Sequence, residues 1–194
     1  MIFLGILVHF LEKDLSIFKN SLSRYMMGEY GFVLLIAFIF GVFANFLSAI
    51  LLACYDTSKM KLCSLLFLLS AVSLLLVALS RGNGDGIIQG FTEYVHFIST
   101  LFLMFISTVI IFIIGGSFKK KYLRIYSYFK FYMALIFTVT AFIFIPLNSQ
   151  SGIIENSLMG FFERIFILLI LMWFLVFIAN YNKIYPEFSK EKIR

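Results

Sequence analysis

Five long apolar runs, separated by short polar stretches, dominate the hydropathy pattern of the chain. An α-helix needs about 20 mostly apolar residues to cross the hydrocarbon core of a bilayer. Strands of a membrane barrel alternate apolar and polar residues over segments of about 10 residues, and these runs do not alternate. The pattern therefore predicts five membrane-spanning helices, over Phe32–Cys54, Leu62–Ser80, Val95–Gly116, Phe131–Leu147 and Phe161–Tyr181.

A sixth apolar run, Met1–Leu11, is shorter. At about 1.5 Å per residue it reaches only about half way across the hydrocarbon. No basic segment precedes it and no small-residue cleavage site follows it, so we interpret it as a short first helix. We expect the fourth long run to close at Pro146. The fold prediction is an all-α, polytopic membrane helical bundle of six helices, forming a single transmembrane domain over residues 1–194.

The composition supports a bilayer as the solvent of this chain. Its 194 residues are 62% hydrophobic and 13% charged, with a mean hydropathy of +1.01, whereas soluble domains are about 45–50% apolar and about 25% charged. The net charge of +6 would suggest nucleic acid in a soluble protein. Here the basic residues lie between the apolar runs, so we predict no nucleic-acid partner. Cys54 and Cys63 fit neither a zinc site nor a disulfide framework.

The Lys and Arg residues of the loops predict an orientation. The 55–61 loop, the 117–130 loop and the tail after Tyr181 together carry eleven of them, against four in the loops of the opposite side. Loops rich in Lys and Arg face the cytoplasm. The C-terminus is therefore predicted to be cytoplasmic, in a multi-pass protein. The N-terminus is predicted inside as well if the first run crosses.

Ionisable and polar residues gather, by this topology, at the outer end of the predicted bundle. Such residues at the membrane are the first place to look for function. The group comprises His9, Arg24, Tyr25, Asp85, Glu93, His96, Glu163 and Arg164. We predict that Arg24, Tyr25, Asp85, His96, Glu163 and Arg164 bind a ligand.

Each of these residues also has a structural interpretation. Glu163 near a helix N-terminus is stabilised by the helix dipole. Arg164 can extend to the headgroups or pair with Glu163, Glu93 or Asp85. His96 begins a stripe that continues through Thr100, Met104 and Ser107, which is typical of a helix-packing face.

Metal and cofactor sites are weakly supported, and we predict none. His9 and His96, on different helices, are the two histidines of the chain, and together they are a remote possibility for axial haem ligands. A catalytic metal usually needs three protein ligands, and no local spacing supplies them.

Two further residues carry packing predictions. Asn45 lies in the middle of the first long span, on a ridge of small residues with Ala37 and Gly41. We expect its side chain to hydrogen-bond to a neighbouring helix. Trp173 and several tyrosines are expected to face lipid or the membrane boundary.

Three segments together resemble a known family: SLSRYMMGEYG ahead of the first long span, the acidic turn GNGDG with His96 following, and GFFERI opening the last helix. The chain resembles the bacterial membrane family called domain of unknown function 998. The resemblance covers nearly the whole chain and implies a six-helix protein of the bacterial inner membrane. It also implies a distant similarity to Frag1/DRAM-type membrane proteins. The residues that match are Ser23, Arg24, Tyr25, Gly28, Gly31, Asp85, His96, Gly160, Glu163 and Arg164; Glu29 stands where the family would have proline.

The family name implies no activity, so the functional prediction rests on the polar residues. We predict an outward-facing pocket that binds a lipid or small amphiphile, or that supports a partner membrane protein. The alternative is a membrane-embedded lipid hydrolase or transferase, with His96 as base, Asp85 or Glu163 as its orienter and Ser23 as candidate nucleophile. A purely structural subunit of a membrane complex is the third possibility.

Overall fold

The computed structural model describes the backbone of residues 2–12, 15, 22–55, 57–80, 90–151 and 159–184, and their side chains except at 2–6, 23, 142, 144–151, 159–160 and 181–184. All the regular structure in this part of the chain is helical. The helices are α1 (Ile2–Leu11), α2 (Leu22–Met26), α3 (Gly31–Ala53), α4 (Ser58–Leu79), α5 (Phe91–Ser117), α6 (Lys121–Ser151) and α7 (Met159–Ile184).

The predicted all-α class is confirmed, but the number of helices is wrong. The described residues form seven helices rather than six, because the five-residue α2 precedes the first long span. Its sequence, LSRYM, contains no long apolar run, so the hydropathy pattern does not predict this helix. The prediction that the fourth long helix closes at Pro146 is also wrong. That helix, α6, continues through Pro146 to Ser151.

Over the residues that the structure describes, four helices are long and apolar enough to cross a membrane: α3, α4, α5 and residues Phe161–Asn180 of α7. This supports a multi-pass membrane protein. Over its described residues α6 is less apolar, since its first half is rich in basic and tyrosine residues. The ten residues of α1 span about 15 Å, which is too short to cross.

The long helices run antiparallel to their neighbours in the chain. Ser64 Oγ of α4 donates to the Ala49 carbonyl of α3 at 2.7 Å, and Thr108 of α5 and Thr138 of α6 meet at 3.2 Å between their hydroxyl oxygens. The last pair, α6 and α7, is linked by Trp173 Nε1, which donates to Ser127 Oγ at 3.0 Å. Hydroxyl contacts of this kind commonly join helices in membranes.

Two buried apolar clusters form the core. The larger lies between α3, α4, α5, α6 and α7 and includes Phe67, Ile110 and Trp173. The smaller joins α1, α2, α3 and α4 at one end of the bundle, and includes Val8, Tyr25 and Val77. Many large apolar side chains on the outer faces of the long helices are exposed, as expected for surfaces that contact lipid.

Two packing predictions are wrong. Trp173 is 2% exposed and stacks on Phe177 with 5.6 Å between ring centroids, so it is a core residue and not a lipid-facing one. Asn45 Nδ2 donates to the Gly41 carbonyl of its own helix at 2.8 Å. That carbonyl lies one turn back along α3, so the amide is satisfied without reaching a neighbouring helix.

Candidate functional site

The candidate site lies where α1, α2 and α7 meet at one end of the bundle, and a tight turn sets the position of α2. The Gly31 amide donates to the Gly28 carbonyl at 3.0 Å. A Cβ on Gly31 would overlap the carbonyl of Met26, so only glycine fits where α2 and α3 approach this closely. Glu12, just after α1, packs on Gly28, and its Oε1 accepts from the Tyr30 amide at 2.8 Å. These contacts hold α1 and α2 against the start of α3.

Tyr25 is the buried centre of the site. It is 0% exposed, and its hydroxyl donates to the Leu15 carbonyl at 2.8 Å. The ring of His9 meets the Tyr25 ring edge to face, with 4.6 Å between centroids and 89° between planes. This geometry is favourable because the positive edge of one ring faces the negative face of the other.

Arg164, on the first turn of the apolar part of α7, completes the group. Its Nε donates to His9 Nε2 at 3.0 Å, and its guanidinium carbon lies 5.2 Å from the centroid of the Tyr25 ring. A cation within about 6 Å of an aromatic face is attracted by the ring quadrupole. The two rings therefore hold the guanidinium in one orientation.

Glu163 makes a separate link between α7 and α2. Its Oε2 accepts a hydrogen bond from the Leu22 amide at 2.9 Å. That amide is at the start of α2, where backbone N–H groups have no partner within the helix. The carboxylate thus caps α2, and the neighbouring Arg164 contacts His9 and Tyr25. We refer to His9, Tyr25, Glu163 and Arg164 as the Arg164 cluster.

His9 and Tyr25, the two members of the cluster that lie outside the candidate spans, are held in their neutral forms. Burial lowers the pKa of His9, and the positive charge of Arg164 lowers it further. Burial raises the pKa of the Tyr25 phenol; Arg164 opposes this shift and Glu12 adds to it. Both rings are therefore neutral near pH 7. Because His9 Nε2 accepts from Arg164, its hydrogen is on Nδ1 in this assignment.

The structure brings three of the predicted ligand-binding residues together: Tyr25, Glu163 and Arg164. His96 lies between α4 and α5, where its Nδ1 is 3.1 Å from the carbonyl oxygen of Val77. Val77 belongs to the same buried cluster as Tyr25, so His96 adjoins this end of the bundle. Arg24 is exposed on α2.

The other sequence candidates are engaged locally or lie outside the described residues. Glu93 is buried and accepts from the Gly90 amide at 3.0 Å, which caps its own helix. Thr100 Oγ1 donates to the His96 carbonyl one turn back on α5. Asp85 and the Ser23 side chain lie outside the described residues, so the hydrolase alternative stays a prediction.

The described part of the chain contains no group of three or more His, Cys, Asp or Glu side chains placed to hold a metal ion. The haem alternative also stays a prediction. In the structure one nitrogen of each candidate ligand faces a protein atom: His9 Nε2 faces Arg164, and His96 Nδ1 faces Val77.

Sequence reasoning missed the contact between His9 and Arg164 and the role of Glu12. The first joins residues 155 positions apart, and no local pattern marks such a pair. Glu12 had one sequence signal, an acidic residue directly after an apolar run, but a charge there is equally typical of a solvated helix end.

Exposed aromatic side chains are next to members of the cluster in the sequence. Phe10 follows His9 in α1 and is 72% exposed, and Phe161 and Phe162 precede Glu163 in α7 and are also exposed. A guanidinium binds oxyanions through paired hydrogen bonds, and exposed aromatic rings offer apolar contacts.

Comparison with known proteins assigns a family to this arrangement. The chain matches no curated protein and no solved structure. The family model for proteins of unknown function DUF998 matches residues 1–180, which is most of the chain and includes the whole Arg164 cluster. The bacterial origin and the distant similarity to Frag1/DRAM-type proteins stay predictions. The resemblance to the family itself is confirmed: the chain belongs to the DUF998 family.

Proposed function

We propose that this protein binds an amphiphile with an anionic headgroup, such as a phospholipid, where α1, α2 and α7 meet. One observation carries the proposal: Arg164 is held between His9 and the face of Tyr25 at the start of an apolar helix. A charged side chain inside a membrane-spanning segment is costly and usually marks a functional position.

The contacts of Arg164 suit an anionic ligand. His9 and Tyr25 are neutral, so they orient the guanidinium without cancelling its charge. Glu163 offsets part of that charge, while its Oε2 accepts the Leu22 amide. A guanidinium presents several N–H donors in one plane and binds phosphate or carboxylate through paired hydrogen bonds.

The depth and surroundings of the cluster suit a lipid. Arg164 lies three residues after the start of the Phe161–Asn180 candidate span, the level at which headgroups and aromatic belts lie. The exposed rings of Phe10, Phe161 and Phe162 would contact the acyl chains. A free phosphate or sugar phosphate has no apolar chain to pack against these rings.

The cluster is proposed to face outward from a bacterial inner membrane, with the C-terminus in the cytoplasm. Supporting this, the described basic residues Lys59, Lys61, Lys119, Lys120, Lys121 and Arg124 lie in or beside the α3–α4 and α5–α6 connections. Those connections are at the opposite end of the antiparallel bundle from the start of α7. Loops rich in Lys and Arg stay on the cytoplasmic side.

Replacing the guanidinium tests the proposal. In Arg164→Gln we expect the ratio of phosphatidylglycerol to phosphatidylethanolamine that co-purifies with the protein to fall about tenfold. Both lipids carry a phosphodiester, but phosphatidylethanolamine balances it with its own ammonium group, so phosphatidylglycerol gains more from the charge of the guanidinium. Mass spectrometry of lipids from protein extracted in native nanodiscs measures the ratio.

Arg124→Gln is the matched control. Arg124 donates from Nε and Nη2 to the Phe118 carbonyl at the opposite end of the bundle, and its loss should leave lipid retained at the Arg164 cluster unchanged. Arg164→Lys keeps the charge and loses the paired donors, so an intermediate ratio is expected. An unchanged ratio in Arg164→Gln, with helix content equal to wild type by circular dichroism, would contradict the proposal.

A further inference from the structure

The hydrogen bond between Arg164 and His9 exists in only one protonation state of the imidazole. Arg164 Nε is a donor at all accessible pH values, and His9 Nε2, at 3.0 Å, must therefore be the acceptor. A proton on Nε2 would set two N–H groups against each other and two cations side by side. His9 Nδ1, which carries the hydrogen, is buried and has no hydrogen-bond partner among the described residues. The neutral ring is thus held in place through Nε2 and the Tyr25 face.

We propose that headgroup binding at the Arg164 cluster is coupled to protonation of His9: the proton breaks the hydrogen bond to Arg164, and one oxyanion then accepts from both side chains. This inference rests on the proposed function and adds its regulation. The anion relieves the repulsion between the two cations, so each binding event favours the other. By reciprocity, a ligand that raises the proton affinity of His9 binds more tightly as the pH falls.

The titratable groups around His9 come from α2, from α7 and from the end of α1. Among described residues, Tyr25 faces it from α2 and Arg164 faces it from α7. Glu163 precedes Arg164 in α7, and Glu12 follows α1 in the chain. Arg24 on α2 is exposed, and α3 has no ionisable side chain apart from Tyr30 at its N-cap. The charge of Arg164 opposes protonation of the ring. Arg164 is the one that hydrogen-bonds to the ring.

The lowered pKa of His9 is consistent with proton uptake on anion binding. Burial and Arg164 both lower the pKa of His9 from its ordinary value, so the free protein holds the ring neutral at pH 7. A bound anion places a negative charge next to the ring and raises that pKa. Protons are therefore taken up on binding, and the affinity for an anion increases with acidity over the interval between the two pKa values.

Binding of short-chain phosphatidylglycerol to the full chain in a zwitterionic detergent tests the inference. We expect affinity about tenfold higher at about pH 5.5 than at about pH 7.5, an interval in which histidine is the side chain that normally titrates. The phosphodiester stays ionised throughout. Short-chain phosphatidylcholine carries the same phosphodiester but balances it with its own quaternary ammonium group, so its binding should vary less with pH than that of phosphatidylglycerol.

The second histidine supplies the control. His96→Gln should keep the pH dependence, and His9→Gln should abolish it. His9→Lys, with a permanent cation at this position, should bind at both pH values about as tightly as wild type does at the lower one. Circular dichroism at each pH establishes that every variant is folded.

Failures of the two proposals give different results. Preference for phosphatidylglycerol that depends on Arg164 but not on pH would overturn the coupling and leave the proposed function standing. The same pH dependence in His9→Gln, or its loss in His96→Gln, would also overturn the coupling. Equal binding of both lipids at both pH values would overturn the proposed function itself.

Discussion

Trp173→Ala is expected to cause the largest loss of stability of any single substitution in the core. The indole is 2% exposed, stacks on Phe177 and donates to Ser127 Oγ. Removing a buried Trp costs about 3–5 kcal/mol in water-soluble cores. We expect the lower part of that range here, because lipid is as apolar as the core and the lost free energy is mainly packing. Unfolding in sodium dodecyl sulfate, followed by far-ultraviolet circular dichroism, measures it.

Two variants identify the cause of that loss. Phe129→Ala removes a large ring that is 57% exposed on α6 and should change the free energy of unfolding by no more than about 0.5 kcal/mol. Trp173→Phe keeps a ring in the core but deprives Ser127 of its donor, so an intermediate loss is expected. If Phe129→Ala cost as much as Trp173→Ala, α7 would not be packed as described.

Gly115→Ala is expected to destabilise the contact between α5 and α6. A Cβ at this position would lie 2.6 Å from the Cβ of Ser127, closer than two carbon atoms approach without a shift of the helices. Overpacking of this kind costs about 1–3 kcal/mol. A loss of stability would be informative, because helix propensity alone predicts the opposite: Ala stabilises a helix relative to Gly by about 1 kcal/mol. The same unfolding measurement applies.

The adjacent glycine is the matched control. A Cβ on Gly116 would meet the Tyr128 hydroxyl at 3.3 Å, the far end of a side chain that is able to rotate away. Gly116→Ala should therefore be neutral or slightly stabilising. Equal effects at the two positions would show that helix propensity, and not close approach of the helices, decides stability here.

Much of the fold follows from local pattern. An apolar run of about 20 residues forms a helix in a bilayer, because every backbone N–H and C=O must find a hydrogen-bond partner inside the segment. The sequence therefore locates α3, α4, α5 and the spanning part of α7 within a few residues. It misses α2, which is too short for hydropathy to register, and it ends α6 at Pro146 although the helix continues past it.

Tertiary contacts decide what the sequence left open. The enrichment of Trp at membrane boundaries predicts a boundary position for Trp173. In the structure its N–H donates to a Ser hydroxyl on α6, and the indole is buried in the core. Asn45 found an acceptor on its own helix. Outcomes of this kind depend on which helices meet, and that information is not in the local pattern.

The candidate site was predicted in part. The common position of Tyr25, Glu163 and Arg164 at the ends of predicted spans places them in one group, and in the structure they converge. The specific contacts did not follow, since the partner of Arg164 is a histidine 155 residues away and the partner of Glu163 is a backbone amide. The sequence does not reveal a backbone partner, because nearly every residue type carries the same amide N–H.

The most direct test of the central idea, that Arg164 holds an anionic headgroup, is an electron-microscopy map of the full chain in a nanodisc that contains phosphatidylglycerol. The account predicts a phosphate-sized feature at charge-assisted hydrogen-bond distance, about 2.7–2.9 Å, from the guanidinium. Acyl density should then run along Phe10 or Phe161. A well-resolved Arg164 with protein atoms filling the space around it, and lipid headgroups at other positions, would contradict the account.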